Sequence, residues 1–160
     1  MERVNRILAH PLYRDCLAKT GEWERERIFC GHGMAHLLDV ARLAWIFNLE
    51  QGLGIERERV YAAALLHDIG RHVQYEKGVP HQEAGLPIAE EILKDCAFDD
   101  GERQEILAAI RSHRDVSVRD KADLQGLLYR ADKMSRSCFG CDAEPMCDWS
   151  REKKNFVLRC

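Results

Sequence analysis

Apolar residues recur along most of this chain at intervals of three and four, the spacing that lines one face of an α-helix. From Gly33 to about Leu49, Leu37, Val40, Ala41, Ala44 and Trp45 share a side. His36, Leu43 and Phe47 widen it, and Gly52 and Gly54 end the run. A second run, from about Glu56 to Ile69, aligns Val60, Ala63, Ala64 and His67. Its small side chains let another helix come close, and Gly70 is expected to terminate it. A loop containing Gly78 and Pro80 leads to His81, after which Ala84, Ile88, Ala89, Ile92 and Leu93 mark a further helix with Pro87 in its early part. Ile106, Leu107, Ile110 and His113 mark the next, which Asp99 and Asp100 can cap. Asp120 is expected to cap the last long helix, where Leu124, Leu127, Leu128 and Ala131 form the stripe and Asp132 falls one turn after Leu128. Ahead of all these, a helix within Arg3–Lys19 is broken near Pro11, and Thr20 and Gly21 open a second short segment through Trp23 and Ile28. The turn signals cut helix-sized pieces, so the pattern predicts an all-α helical bundle over 1–137 followed by a cysteine-containing tail over 138–160.

Composition narrows this picture. With 160 residues, 46% hydrophobic and 32% charged, the chain can bury a core as one water-soluble domain without disulfides. Its longest apolar runs, around Leu43–Phe47 and Val60–Leu66, fall far short of the roughly 20 residues that span a bilayer. The polar start at Glu2, Arg3, Asn5 and Arg6 lacks the apolar stretch of a secretory signal, so a cytoplasmic location is expected. A net charge of −3 argues against an extended basic surface for nucleic acid and leaves room for a local basic pocket that grips one phosphate. A small phosphorylated substrate is favoured, and a homo-oligomer stays open.

His67 and Asp68 stand where the Ala62–Leu66 run would otherwise continue into a buried surface. Buried charge needs a partner. A divalent ion supplies one, since imidazole and carboxylate suit manganese, iron, cobalt or zinc. A hydrogen-bonded core histidine beside a turn-capping aspartate would leave the same dipeptide. What favours the ion is that His36, His81, His113 and Asp132 each interrupt an apolar helical face or open a helix, so that six such residues can converge.

The segment Ala63-Ala64-Leu65-Leu66-His67-Asp68-Ile69-Gly70-Arg71 resembles the signature of the HD-domain metallohydrolases. His36-Leu37-Leu38-Asp39-Val40-Ala41 is similar to the segment that carries that family's first histidine, and Arg130-Ala131-Asp132-Lys133-Met134 to the one that carries its last aspartate. The resemblance spans about residues 32–134 and implies a helical domain in which His36, His67, Asp68 and Asp132 hold one metal. It further implies that His81 and His113 match the two added histidines of a subset that includes the diadenosine-tetraphosphate hydrolases, with Asp68 bridging a second metal. Arg71 stands where a lysine often follows, which keeps the charge and changes its geometry. His32, one turn before His36, is a competing first ligand but reads better as a loop or pocket residue, and His10 and His72 as surface or supporting histidines.

The implied activity is hydrolysis of a phosphate ester or anhydride of a nucleotide-like molecule by metal-activated water, with magnesium also among the candidate ions. Asp68, Arg71 and Lys133 are the expected catalytic residues, joined by Arg136, because the cations follow the ligands in sequence and can reach a phosphate. Two alternatives share the ligand set: a di-iron oxygenase and a non-catalytic binding module. Cys138, Cys141 and Cys147 are candidates for a structural zinc, with Cys160 available as a fourth sulfur, or else are packed thiols.

Overall fold

The computed structural model describes residues 1–158 and is helical throughout, with eight α-helices among those residues. They are α1 (Glu2–Ala9), α2 (Pro11–Trp23), α3 (Met34–Glu50), α4 (Arg57–Leu66), α5 (Arg71–Lys77), α6 (His81–Asp95), α7 (Asp100–Ser112) and α8 (Leu124–Met134). Single 3-10 turns follow α7 and punctuate the tail. No helix among the described residues is long and apolar enough to cross a membrane.

The core is organised around α4, whose Ala62, Ala63, Ala64, Leu65 and Leu66 are all fully buried. A run that is apolar on every side, as Ala62–Leu66 is, has to be enclosed on every side. Helices α3, α7 and α8 surround it, and α6 packs on α7 and α5. Arg3 of α1 donates to Glu58 of α4 (2.7 Å) and Glu102 of α7 (2.5 Å), fastening the first helix to the bundle.

Several boundaries differ from the sequence expectation. Helix α4 stops at Leu66, not at Gly70, so that His67 caps it and His67–Gly70 form a corner. Gly70 instead caps the start of α5, a helix that the apolar pattern does not predict. A Cβ on Gly70 would sit 2.4 Å from the His81 carbonyl oxygen and 2.5 Å from the Gly85 amide nitrogen. The corner after α4 and the start of α6 therefore meet backbone to backbone, a contact only glycine permits.

Helix α2 runs unbroken through Thr20 and Gly21, because Thr20 Oγ1 donates to the Cys16 carbonyl (3.0 Å) inside the helix instead of starting a new one. Asp123, not Asp120, caps α8 by accepting from the Gly126 amide (3.0 Å), while exposed Asp120 pairs with its neighbour Arg119. Of the two expected caps of α7, Asp99 is the N-cap and closes a capping box with Glu102, while Asp100 is the first residue of the helix.

Candidate metal centre

Each of the six predicted side chains arrives from a different place in the bundle, the His67-Asp68 pair excepted. His36 lies in the first turn of α3, His67 and Asp68 on the corner after α4, His81 at the first position of α6, His113 at the C-cap of α7, and Asp132 near the end of α8. All six are buried; His67 and His81 are 0% exposed. Their ligand atoms form three overlapping clusters within 4.8 Å: His36, His67 and Asp68; His67, His113 and Asp132; and Asp68, His81 and His113.

The histidine nitrogens are sorted. His67 Nδ1 donates to the Ala64 carbonyl (2.7 Å), His113 Nδ1 to the Ile110 carbonyl (2.6 Å), and His81 Nδ1 to Gln74 Oε1 (2.7 Å). A ring whose Nδ1 carries the donated proton presents the Nε2 lone pair on its other side. All four Nε2 atoms turn to the carboxylates. His67 Nε2 lies 3.2 Å and His36 Nε2 3.7 Å from Asp68 Oδ2, and they lie 3.7 and 3.4 Å from Asp132 Oδ1. His81 Nε2 lies 3.1 Å and His113 Nε2 3.9 Å from Asp68 Oδ1, and the two rings face each other with 3.0 Å between their Nε2 atoms.

His67 Nε2 and Asp68 Oδ2 are buried and neither makes a hydrogen bond. Unpartnered polar atoms at such depth are costly, and a cation seated among them satisfies both. Neutral imidazole and carboxylate are the donor set that divalent transition metals take. The cluster therefore fits a metal site.

The protonation states fit as well. Burial opposes the ionised form of Asp68, but His67 and the facing histidines outweigh it and hold the carboxyl well below its usual range. The same balance, with His36 and His67 acting against burial, keeps Asp132 ionised. Burial and the neighbouring charge on His67 push His113 down to about 3, and burial lowers His81 against the pull of Asp68. His67 goes the other way: Asp68 and Asp132 overcome its burial and raise it to about 10. A proton on His67 thus offsets the charge of the two carboxylates that face it.

Cations border the site. Arg71 Nε donates to Asp68 Oδ1 (2.9 Å), and Lys133 Nζ to Asp132 Oδ2. Arg136, 8% exposed, lies 3.1 Å from His36 Nε2 and 3.8 Å from Asp132 Oδ1, and donates to the Gly31 carbonyl (2.9 Å). The expected catalytic cations thus stand at the carboxylates themselves.

Sequence reasoning does not find the residues that hold His32 beside the site. Glu24 accepts from His32 Nδ1, from the His32 amide (2.7 Å) and from the Tyr75 hydroxyl (2.6 Å). Burial resists its charge, yet the His32 and Tyr75 hydrogen bonds lower its carboxyl to about 2. His32 is buried, lowered by that burial against the Glu24 bond, and its ring lies edge-on to His36 at 6.0 Å. It is a pocket residue bordering the site. His72, expected at the surface or as support, is buried with Nδ1 unpartnered, and partly exposed His10 lies 3.3 Å from Asp95. Both lie outside the metal-competent clusters.

Residues 33–137 match the family model of the HD domain. The chain is 42% identical over 158 residues to an uncharacterized protein of Clostridium beijerinckii, with 99% of each covered. It is 29% identical over 126 residues to ribonuclease Y of Oleidesulfovibrio alaskensis; the match takes in 79% of this chain but only 22% of that longer protein. Among solved structures, a protein described as a predicted HD superfamily hydrolase, from an uncultured Thermotogales bacterium, superimposes with a TM-score of 0.63 at 24% identity. That alignment covers 88% of this chain and 80% of the other, and it establishes a shared fold. With the helical bundle, the His/Asp cluster and the matched segment in agreement, the chain belongs to the HD-domain family.

Proposed function

We propose that this protein is a binuclear, metal-dependent phosphohydrolase acting on a phosphate ester or anhydride of a small, nucleotide-like molecule. One observation carries the reading: the two oxygens of Asp68 face two separate histidine pairs, His36 with His67 and His81 with His113. In this reading His36, His67, Asp68 and Asp132 hold one ion, and Asp68, His81 and His113 hold the other, the arrangement of the subset that includes the diadenosine-tetraphosphate hydrolases. Divalent ions bound there supply water that is acidic enough to react at neutral pH and neutralise charge on the phosphoryl oxygens.

The chain's own groups do the rest. Arg71 and Lys133 turn from Asp68 and Asp132 toward the substrate phosphate, and Arg136 grips it beside His36. Neutral His32, its Nδ1 hydrogen held by Glu24, keeps Nε2 free to take a proton from the attacking water. A cleft of about 280 Å3 opens at His36 between Gly33, Asp39, Ser135 and Arg136. It continues into a second of about 280 Å3 whose walls include Leu43, Ile46, Met134 and Phe139. A phosphate bound at Arg136 would direct an attached apolar or aromatic group onto that wall.

The ribonuclease Y relatives, by name, act on RNA, which is also a phosphodiester. A net charge of −3 favours the small substrate here. As a separate part of the proposal, the tail thiols of Cys138, Cys141 and Cys147 bind a structural zinc, supported by the single cavity whose wall they share.

The test is metal analysis of protein purified without chelator, joined to an anaerobic screen of nucleotides, dinucleoside polyphosphates and p-nitrophenyl phosphates with manganese or cobalt. Release of phosphate or nucleotide is the expected result. Turnover that appears only when air is admitted, with consumption of oxygen, would overturn it in favour of a di-iron oxygenase, and no turnover on any substrate with or without air in favour of a binding module.

A further inference from the structure

The tail that follows α8 is poorly supplied with the usual means of holding its shape. Beyond Met134, Ala143 is the one hydrophobic residue buried among those described, while Phe139, Met146, Phe156, Val157 and Leu158 are exposed. Its secondary structure amounts to three single 3-10 turns, Cys138–Gly140, Glu144–Met146 and Arg151–Lys153. A segment that buries so little apolar surface needs a covalent or metal staple to stay ordered.

The loop between α2 and α3 supplies what the tail lacks. Cys30 joins Cys138, Cys141 and Cys147 around one small cavity of about 20 Å3, closed over by Phe29 and Trp149. That volume holds a single water or ion. All four cysteines are free thiols and all are partly buried. Cys138 and Cys141 stand at either end of one tight turn, closed by the Gly140 amide on the Ser137 carbonyl (3.1 Å) and the Cys141 amide on the Cys138 carbonyl (3.4 Å). Glu144 then bonds back to the Cys141 carbonyl (3.0 Å), and Cys147 to the Glu144 carbonyl (3.1 Å); the four cysteines line the cavity without any three of their sulfurs closing to within 4.8 Å, so zinc would have to draw them inward.

We infer that Cys30, Cys138, Cys141 and Cys147 form a four-thiolate zinc site that staples the tail to the α2–α3 loop. The inference extends the tail-zinc reading by giving the fourth ligand as Cys30 rather than Cys160, which lies outside the described residues. Four sulfurs from a short-spaced pair and two separate strands of chain are the donor set of closed structural zinc. Zinc with four thiolates carries two negative charges. Lys154, its side chain 10% exposed, lines the same cavity and donates to the Glu144 carbonyl (3.1 Å) and carboxylate (2.9 Å), placing a cation against the thiolates.

The staple bears on the bundle as well. The loop it holds also carries Gly31, the acceptor of Arg136, and His32. The turn it holds carries Phe139, which lines the cleft leading to His36. Metal in the tail thereby fixes the mouth of the His/Asp centre without touching it.

Zinc per chain, measured on the full-length protein in an Asp68→Ala background, separates this site from the His/Asp centre. About one zinc should remain in that background, should be lost when Cys30→Ser is added, and should survive Cys160→Ser. Cobalt-loaded parent protein should show thiolate-to-cobalt charge-transfer absorption, which imidazole and carboxylate ligands do not give, so the readout holds even if Asp68→Ala leaves the other centre occupied. Should the Cys30→Ser protein not be recoverable, alkylation of the parent replaces it. Zinc should protect Cys30, Cys138, Cys141 and Cys147 together, and a chelator should expose them together. Loss of zinc in Cys160→Ser, free alkylation of Cys30 with zinc bound, iron with labile sulfide, or a metal-free parent with no charge-transfer band would each overturn the assignment.

Discussion

On one side of the Asp68 carboxylate, Oδ2 faces His36 and His67, with Asp132 behind them and Lys133 and Arg136 at the rim. On the other, Oδ1 faces the buried rings of His81 and His113, Asp132 comes near His113 but belongs to no cluster with His81, and Arg71 is the one cation in direct reach. The first side has both carboxylates close to its rings and raises His67 toward the protonated form; the second draws mainly on the shared Asp68, with Asp132 near His113 alone, and burial drives its histidines neutral. A carboxylate-rich pocket attracts a cation on its own account, whereas a pocket of neutral rings depends on Asp68 for charge. The first side should therefore bind metal more tightly, and the second should be the easier to empty.

Removing the shared group should abolish both sides. Asp68→Ala is expected to empty the His/Asp centre of metal, leaving any tail zinc in place, and to lower phosphate release by at least about 10³-fold, the scale of several kcal/mol of lost charge stabilisation. Metal analysis alongside turnover checks it, and full occupancy in the variant would remove Asp68 as the bridge. His81→Ala or His113→Ala should divide the sides, losing about one metal per chain while the His36–His67–Asp132 side keeps its own. If either variant retained both ions, His81 and His113 would be acid–base or phosphate-binding groups instead.

Gly70→Ala strikes the same side through the backbone. Its Cβ would overlap the His81 carbonyl, so the α4–α6 corner must open, at a cost of about 2–3 kcal/mol and a melting temperature lower by about 5–10 °C. Differential scanning calorimetry with and without manganese should show the loss and a weakened response to metal. Gln74→Met, which removes the acceptor of His81 Nδ1 at similar volume, should weaken binding on that side about 10–100-fold and leave the other unchanged in a titration.

The smallest effect expected is on pH. In chelated protein, His67 is raised from 6.5 to about 10, so the folded state holds a proton that the unfolded chain releases across that window. The stabilisation is complete below the unfolded value and is lost as pH rises through the folded one. His113, lowered to about 3, works oppositely and costs stability as pH falls below 6.5. The melting temperature of metal-free protein should decline from neutral pH upward, and manganese should flatten that decline by replacing the His67 proton. A decline equally steep with metal bound would mean that His67 is not a ligand.

What could be read beforehand was whatever lies within one helix. His67-Asp68 stands out because the all-apolar run before it leaves charge nowhere to go, and His36 is favoured over His32 because its place before Val40 matches the family's segment while His32 lies between two glycines. Helix α5 was missed because Arg71–Lys77 contains a single aliphatic residue, Val73, too little to show a period. The contacts that fix the histidines were equally hidden. Tyr75 meets Glu24 across 51 positions, and Cys30 meets the tail across most of the chain. The choice of Asp123 over Asp120 as a cap depends on Arg130, whose guanidinium holds the Arg119 and Lys121 carbonyls and shapes the turn before α8.

The three anchored Nδ1 atoms differ in what mutation can do to them. Those of His67 and His113 rest on main-chain carbonyls, which every residue at 64 and 110 provides, so no single substitution there removes the acceptor. That of His81 rests on a glutamine side chain. One codon change at position 74 can alter or delete its acceptor while the fold and the rest of the centre stand. Evolution therefore has an adjustable setting on one side of Asp68 and a fixed one on the other, and divergence in metal preference among relatives should concentrate at position 74.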